Sequence, residues 1–212
     1  MYAYKETYLE YARKNLGDLF DYAVNVHKMK ANDFWDIFAG SKLARALSCG
    51  EPKYTVGMSG SELFAELIYD TYRKRIDLKE TKSFDRSREY WAGFALAFYQ
   101  WRSGTSYAAI RRRGIMLSDI VDLYVLHEAS DEKFVEVMTG RMDDKRKSDT
   151  LKRLRIYAGL TQKELSEVSG VSLRMIQLYE QGQNDLSKAQ ASVVLSLAKS
   201  LGTDIEELII QD

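Results

Sequence analysis

The sequence predicts an all-α protein, in which a larger helical N-terminal domain precedes a compact C-terminal domain of five helices. Apolar residues recur at spacings of three and four along most of the chain, which is the period of an amphipathic helix. Pro52 is the only proline, and the alternating β-branched runs that mark strands are scarce. Aromatic residues make up 12% of the chain and almost all precede residue 125, so the two parts differ in composition.

The overall composition is that of an ordinary globular protein. Of its 212 residues, 45% are hydrophobic and 29% charged, and 31 basic residues balance 31 acidic ones. This neutrality argues against charge-driven coating of nucleic acid, although local cations and backbone amides still allow specific binding. No apolar run approaches the roughly 20 residues that span a bilayer, no export signal is recognisable, and Cys49 is the single cysteine. We therefore expect a cytoplasmic protein without disulfides or a membrane partner.

The N-terminal domain divides into helical segments separated by polar or glycine-rich stretches. Ser59 and Glu62 form an S-x-x-E capping box, in which each side chain accepts a backbone N–H at the start of a helix. Residues 89–101 are apolar on nearly every side, as expected of a helix in a core or an interface. The predicted helices cover residues 4–28, 34–47, 59–68 and 89–101, with shorter pieces at 107–112, 118–126 and 131–138.

Polar stretches predict the domain boundaries. Residues 1–139 are assigned to one domain for partner binding, effector binding or oligomerisation, with an internal boundary near residues 77–88. Residues 140–149 hold no large apolar residue except Met142 and are predicted to be a linker or, alternatively, the first turn of the next helix. Residues 150–212 form the second domain.

The C-terminal domain has the clearest local signals in the chain. Thr161 and Glu164 form a capping box that starts its second helix, and Gly170 suits a tight turn because glycine tolerates a positive φ. Ser172 then caps a third helix, Leu173–Glu180. Two further capping pairs predict the starts of the fourth and fifth helices: Ser187 with Gln190, and Thr203 with Glu206.

This domain resembles the helix-turn-helix domain of phage Cro and repressor proteins in the stretch LRIYAGLTQKELSEVSGVSLRMIQLYEQG, followed by SLAKSLGTDIEELI. The resemblance covers residues 150–210 and rests on five motifs in order: R-x-x-x-G-L-T-Q, E-L-S, G-V-S, I-x-x-Y-E-x-G and A-K-x-L-G. It implies that the second helix meets the phosphate backbone of double-stranded DNA. The third helix, the recognition helix, then enters the major groove.

The same resemblance assigns roles to individual residues. Gln162 matches the position that hydrogen-bonds phosphate, and Arg155 with Glu180 matches a structural ion pair that clamps the first helix to the third. Arg174 is suited to guanine, Gln177 to adenine and Leu173 to the thymine methyl group. The complete predicted DNA-binding set is Gln162, Lys163, Ser172, Leu173, Arg174, Gln177 and Gln183.

Two features depart from the family pattern. Leu173, Met175 and Leu178 lie where many relatives carry polar base-reading side chains. From Ser148 onward the chain has seven cations and nine carboxylates, so the segment is not basic. We therefore expect binding to need a homodimer, the basic stretch Lys145–Lys147, or both. The alternative is a degenerate domain that serves only protein contacts.

The aromatic helix at 89–101 leaves two hypotheses open. It is a core helix, or part of it docks another protein, because aromatic side chains dominate interface energetics. The segments FDRSREYWAGFALAFYQW and YEQGQNDLSKAQ resemble, over about residues 33–210, bacterial regulators encoded beside toxin-like proteins. The resemblance implies an antitoxin that binds its own operator and a cognate toxin. The predicted partner face consists of Tyr90, Trp91, Phe94, Phe98 and Trp101.

The remaining candidate residues form no recognisable catalytic site. His27 and His127 are far apart, Cys49 has no activating partner nearby, and Arg111–Arg113 is either a solvated turn or a phosphate contact. We therefore expect no enzymatic activity, metal or cofactor. The predicted function is a transcriptional autorepressor acting as an antitoxin. The alternatives are a repressor that senses a small molecule through its N-terminal domain, or an enzyme with a DNA-targeting tail.

Overall fold

The computed structural model describes residues 3–78 and 86–209, apart from the side chains of residues 144–149. The described residues form helices and no strand, which confirms the predicted all-α class. None of these helices combines the length and the apolar character needed to cross a membrane. The chain divides into two compact units, Met1–Thr139 and Gly140–Asp212. Most of the internal boundary predicted near 77–88 lies outside the described residues.

Unit 1 (Met1–Thr139) is a set of α-helices with short connections. Its helices are α1 (Leu9–Asp21), α2 (Ala31–Ala39), α3 (Lys42–Ser48), α4 (Pro52–Thr55), α5 (Gly60–Tyr72), α6 (Arg88–Ser103), α7 (Tyr107–Arg112) and α8 (Leu117–Val121). Tighter or wider helical turns occur at Glu6–Tyr8, Tyr22–Val26 and Asp122–Leu126.

Local capping explains where these helices begin. The predicted capping box at Ser59 and Glu62 is present at the start of α5. The helix predicted over 34–47 is instead two helices, because Gly40 ends α2 and Ser41 starts α3. The Ser41 Oγ accepts the backbone N–H of Ala44 at 3.0 Å, which satisfies a donor that the new helix leaves unpaired.

Two glycines bring α1 and α6 into close contact at the centre of unit 1. A Cβ at Gly93 would lie 2.5 Å from the carbonyl oxygen of Leu16, and a Cβ at Gly17 would lie 2.9 Å from that of Tyr90. Both distances are too short for real side chains, so the backbones meet where only hydrogen atoms separate them. Beside this crossing, Phe20 packs edge-on against Phe34 and Phe38 in the core.

The aromatic helix α6 is mainly a core helix. Tyr90, Phe98 and Trp101 are buried within unit 1, so the predicted partner face does not exist as a continuous exposed surface. The Trp101 Nε1 donates to the backbone oxygen of Tyr4 at 2.9 Å, which fixes this ring to the N-terminal segment. The all-round apolar pattern of α6 arises because the helix packs on α1 and also on the residues of α8 and its following turn.

Unit 2 (Gly140–Asp212) begins inside a long helix. Its elements are the later part of α9 (Asp131–Tyr157), α10 (Gln162–Ser169), α11 (Leu173–Glu180), a 3₁₀ turn (Leu186–Lys188), α12 (Ala191–Leu201) and α13 (Ile205–Ile209). Residues 140–149, predicted to be either a linker or the first turn of the next helix, are helical and lie within α9. The stretch has no proline, and its Lys, Arg and Met residues favour helix even without an apolar face.

One predicted cap in unit 2 is wrong. Ser187 does not cap α12 with Gln190; instead Asp185 accepts the backbone N–H of Ser187 at 2.9 Å and starts a 3₁₀ turn. α12 begins only at Ala191. The core of unit 2 draws on all of these elements: Leu151, Leu165, Val171, Ile176, Tyr179, Leu186, Val194, Leu197, Ala198 and Leu208 are buried.

At the α1–α6 crossing, replacing glycine by alanine is expected to lower stability rather than raise it. Gly→Ala inside a helix normally stabilises by up to about 1 kcal/mol, but Gly93→Ala is expected to destabilise unit 1 by about 1–3 kcal/mol, because the added methyl group overpacks the crossing. Trp35, Trp91 and Trp101 all lie in unit 1. Tryptophan fluorescence during urea unfolding therefore measures the change.

The matched control for this prediction is Gly40→Ala. Gly40 has a φ of −82° and its Cβ would meet the Asp36 oxygen at an ordinary 3.5 Å. We expect its free energy of unfolding to change by less than about 0.5 kcal/mol, the range of unstrained surface substitutions. A Gly93→Ala protein as stable as the wild type would contradict the close crossing.

Candidate nucleic-acid interface

Two eight-residue helices joined by a three-residue turn form the centre of unit 2. α10 ends at Gly170, whose φ of +69° is the left-handed conformation that glycine adopts without strain. Val171 is buried and its carbonyl oxygen accepts the Ser166 hydroxyl at 2.7 Å, which pins the turn to α10. Ser172 then caps α11 by accepting the backbone N–H of Met175. These contacts define a helix-turn-helix arrangement of α10 and α11.

A buried carboxylate holds three segments of unit 2 together. Glu180, at the end of α11, accepts the Arg155 Nε at 2.6 Å and the Arg155 Nη2 at 3.0 Å. It also accepts the side-chain amide of Gln162 at 2.7 Å. The third nitrogen of Arg155 donates to the carbonyl oxygen of Leu160 at 2.7 Å. The hydrogen bonds to Glu180 raise the pKa of Arg155, so the guanidinium stays charged.

The start of α10 is fixed by the predicted capping box. The Glu164 carboxylate accepts the backbone N–H of Thr161 at 2.7 Å, and the Thr161 hydroxyl accepts the backbone N–H of Glu164 at 3.2 Å. Hydrogen bonds to its carboxylate from the Thr161 backbone above all, and also from the Thr161 side chain, hold the pKa of Glu164 below its ordinary value. α10 therefore begins at Gln162 with its first N–H groups ordered.

α11 has one buried face and one exposed face. Ile176 and Tyr179 point into the core of unit 2, and burial raises the pKa of the Tyr179 hydroxyl. On the other face Leu173 and Arg174 are exposed and Gln177 is half-buried. The residues predicted to read bases thus lie together on the solvent side of α11.

The other predicted DNA-binding residues differ in exposure and in the contacts that they already make within the protein. Lys163 and Gln183 are exposed, and Lys163 lies 3.9 Å from Glu167 in an exposed pair. Gln162 is half-buried and already donates one amide N–H to Glu180, which leaves its second N–H for a phosphate oxygen. The Ser172 Oγ acts as the cap of α11. The basic side chains of Lys145–Lys147 lie outside the described residues.

Sequence reasoning missed the link from Gln162 to Glu180, because the two residues are 18 positions apart and no local pattern joins them. It also missed a cavity of about 310 Å³ in unit 1, lined by Arg13, Arg86, Trp91 and Phe94 among others. The only sequence signal for this cavity is the i,i+3 spacing of Trp91 and Phe94, which places both rings on one side of α6.

The other candidates from the sequence are dispersed in the structure. Among the described residues, no three side chains of the metal-binding types come together. Cys49 is exposed. In the basic turn at 111–113, Arg111 forms an ion pair with Asp36.

Comparison with protein families supports the assignment of unit 2. Residues 148–208 match the helix-turn-helix domain family. The matched range contains α10, α11 and the residues that clamp them. No curated protein and no solved structure matches the chain. Unit 2 therefore carries a helix-turn-helix segment, and its closer likeness to the Cro and repressor type stays a prediction.

Loss of the buried carboxylate is expected to unfold this segment first. Glu180→Ala leaves the buried Arg155 charge without a carboxylate partner, which costs about 3–5 kcal/mol. Hydrogen exchange of peptides from α10 and α11 measures the free energy of local opening. The control is Glu167→Ala, which removes an exposed pair and is expected to change that free energy by less than about 1 kcal/mol. Equal effects of the two substitutions would contradict the clamp.

The capping box predicts a pH-dependent stability. Because folding lowers the pKa of Glu164, its carboxylate stabilises unit 2 above the unfolded pKa of about 4.3, and this contribution disappears as the pH falls through the lower folded value. Urea unfolding followed by the NMR signals of unit 2 should therefore show wild type more stable than Glu164→Ala at pH 7, with the difference shrinking in acid. A difference that is constant with pH would contradict this assignment, and Glu167→Ala provides the control.

Proposed function

We propose that the protein is a sequence-specific DNA-binding regulator of transcription, with α11 as its recognition helix. The observation that carries the proposal is the exposed face of α11, where Leu173, Arg174 and Gln177 lie together on a helix whose opposite face is anchored in the core. A rigid helix with base-reading side chains on its solvent side is the element that helix-turn-helix proteins place in the major groove.

The chemistry of this face supports readout of a mixed sequence. Arg174 presents paired N–H donors that match guanine O6 and N7, an interaction that contributes about 1–3 kcal/mol of discrimination. Gln177 offers one donor and one acceptor to the edge of adenine. Leu173 provides an apolar contact for the thymine methyl group. Gln162 and Lys163, at the start of α10, supply donors for the flanking phosphates, which orient the helix but do not read sequence.

We further propose that the regulator binds as a homodimer. The segment from Ser148 has more carboxylates than cations, so one copy has little general attraction for DNA. Two copies double the number of base and phosphate contacts, and a twofold arrangement reads half-sites about one helical turn apart. An operator with inverted half-sites is the corresponding expectation.

Two narrower versions of this function follow from the sequence. In one, the protein is an autorepressor and the antitoxin of a toxin-like partner. The support for this version is the resemblance to such regulators. The predicted partner face does not add support, because Tyr90, Phe98 and Trp101 are buried in the core. In the other, unit 1 senses a small molecule, and the cavity beside Trp91 supports this version. Co-purification with the product of a neighbouring gene favours the first, and a ligand that changes operator affinity favours the second.

The test of the main proposal is binding of the full chain to the DNA upstream of its own gene. Fluorescence anisotropy across a salt series should show tighter binding than to a shuffled duplex. Arg174→Ala is expected to lose about 1–3 kcal/mol of discrimination at one base pair. Lys163→Ala should instead weaken binding to all duplexes and reduce the slope of log K against log salt by about 1.

The control variant is Lys199→Ala, an exposed cation on α12 for which no DNA contact is predicted. It should bind like wild type. A wild-type protein that shows no preference for upstream DNA over the shuffled duplex at any salt concentration would overturn the proposal. Equal loss in Arg174→Ala and Lys199→Ala would show that α11 is not the reading helix.

A further inference from the structure

The cavity in unit 1 lies among α1, α6, the turn after α8 and the first residues of α9. Its volume is about 310 Å³, at the small end of the range for ligand sites, which is about 300–1,000 Å³. Arg86, His127 and Ser130 line it and are exposed, so solvent reaches it. It holds none of the predicted DNA-binding residues and is a separate feature of the protein.

Five of the thirteen residues that line the cavity are aromatic: Tyr90, Trp91, Phe94, Tyr124 and Phe134. Trp91 meets Tyr124 edge-on with ring centres 5.6 Å apart, and meets Phe134 edge-on at 5.5 Å. Tyr90 and Phe94 lie nearly parallel at 6.0 Å. Among the described residues, both ring contacts of Trp91 are edge-on. The Tyr124 ring, in contrast, is stacked on the His127 ring at 4.4 Å, and the Arg13 guanidinium lies over the Phe94 ring. Trp91 is therefore the lining ring best suited to contact a further planar ring.

Arg13 places a largely buried positive charge in the cavity wall. Its two terminal nitrogens donate to the carboxylate of Asp131 at 2.7 and 2.6 Å. Its Nε is buried and has no hydrogen-bond partner within the described residues. The guanidinium lies 3.9 Å from the centre of the Phe94 ring. This Nε has almost no accessible surface, so a ligand in the cavity does not contact it, and Arg13 acts on such a ligand through its charge.

A second cation lies at the solvent side of the cavity. The Arg86 guanidinium carbon is 5.0 Å from the centre of the Tyr90 ring, and this side chain is exposed. Asp131 is the only carboxylate among the lining residues, and Arg13 already neutralises it. The lining thus has one positive charge in excess, which favours an anion over a cation.

We propose that this cavity binds a small planar aromatic carboxylate of one or two rings. The ring lies against Trp91, and the carboxylate accepts N–H groups of the exposed Arg86 and is attracted by the positive charge of Arg13. The site itself does not depend on the proposed DNA binding.

Isothermal titration calorimetry of the full chain tests this without DNA. The probes are 2-naphthoate and benzoate, with cyclohexanecarboxylate as a non-planar anion and 2-naphthylmethylammonium as a planar cation. We expect one site for the aromatic carboxylates and binding at least tenfold weaker for the other two. Equal or tighter binding of the ammonium probe, or no binding of either aromatic acid, would overturn the proposal.

Variants locate the site. Arg86→Gln is expected to weaken 2-naphthoate at least fivefold, and Arg13→Gln at least tenfold. Arg13→Gln also leaves Asp131 unpaired, and this variant could fail to fold for that reason. Arg86 is exposed, so Arg86→Gln should fold and tests the site independently. Arg111→Gln is the control, since this arginine pairs with Asp36 and does not line the cavity. Unchanged affinity in Arg86→Gln, or equal loss in Arg111→Gln, would place the ligand elsewhere.

Discussion

The helix-turn-helix segment depends on one buried carboxylate. Glu180 is almost fully enclosed, and an unpaired charge there would be strongly unfavourable. Its oxygens accept donors from Arg155 and Gln162, so the requirement to satisfy one charge fixes the first helix, the start of α10 and the end of α11 at the same time. The turn at Gly170 determines the path of the chain between α10 and α11. The hydrogen bonds that Glu180 accepts from Arg155 and Gln162 link these helices to each other and to α9.

Unit 1 is organised by a different constraint, which is the distance between two backbones. At the α1–α6 crossing, a Cβ at Gly17 or Gly93 would overlap the backbone of the other helix. Large aromatic side chains such as Phe20 and Trp35 are fully buried in the core of unit 1. Where the aromatic packing is incomplete, beside Trp91, it leaves a cavity rather than a solid core.

Local signals predicted much of this structure, and tertiary contacts account for the rest. The caps at Ser59, Thr161 and Ser172 depend on residues three apart, so the sequence indicates them directly. Ser187 has a similar spacing to Gln190, but it does not cap α12, and its own backbone N–H donates to Asp185. The local sequence does not indicate which of these two arrangements forms. Whether an apolar helix such as α6 is core or interface depends on what packs against it, which no pattern within the helix contains.

The exposed face of α11 has a consequence for how such a protein changes over time. Leu173 and Arg174 are exposed, and the folding of unit 2 depends on other residues of the same helix, Ile176 and Tyr179. In the proposed function, replacements at the first pair alter recognition at little cost in stability, whereas Glu180 holds the scaffold together and is constrained. Under that proposal, descendants of this protein can acquire new target sequences through changes on one surface while the scaffold beneath it stays the same.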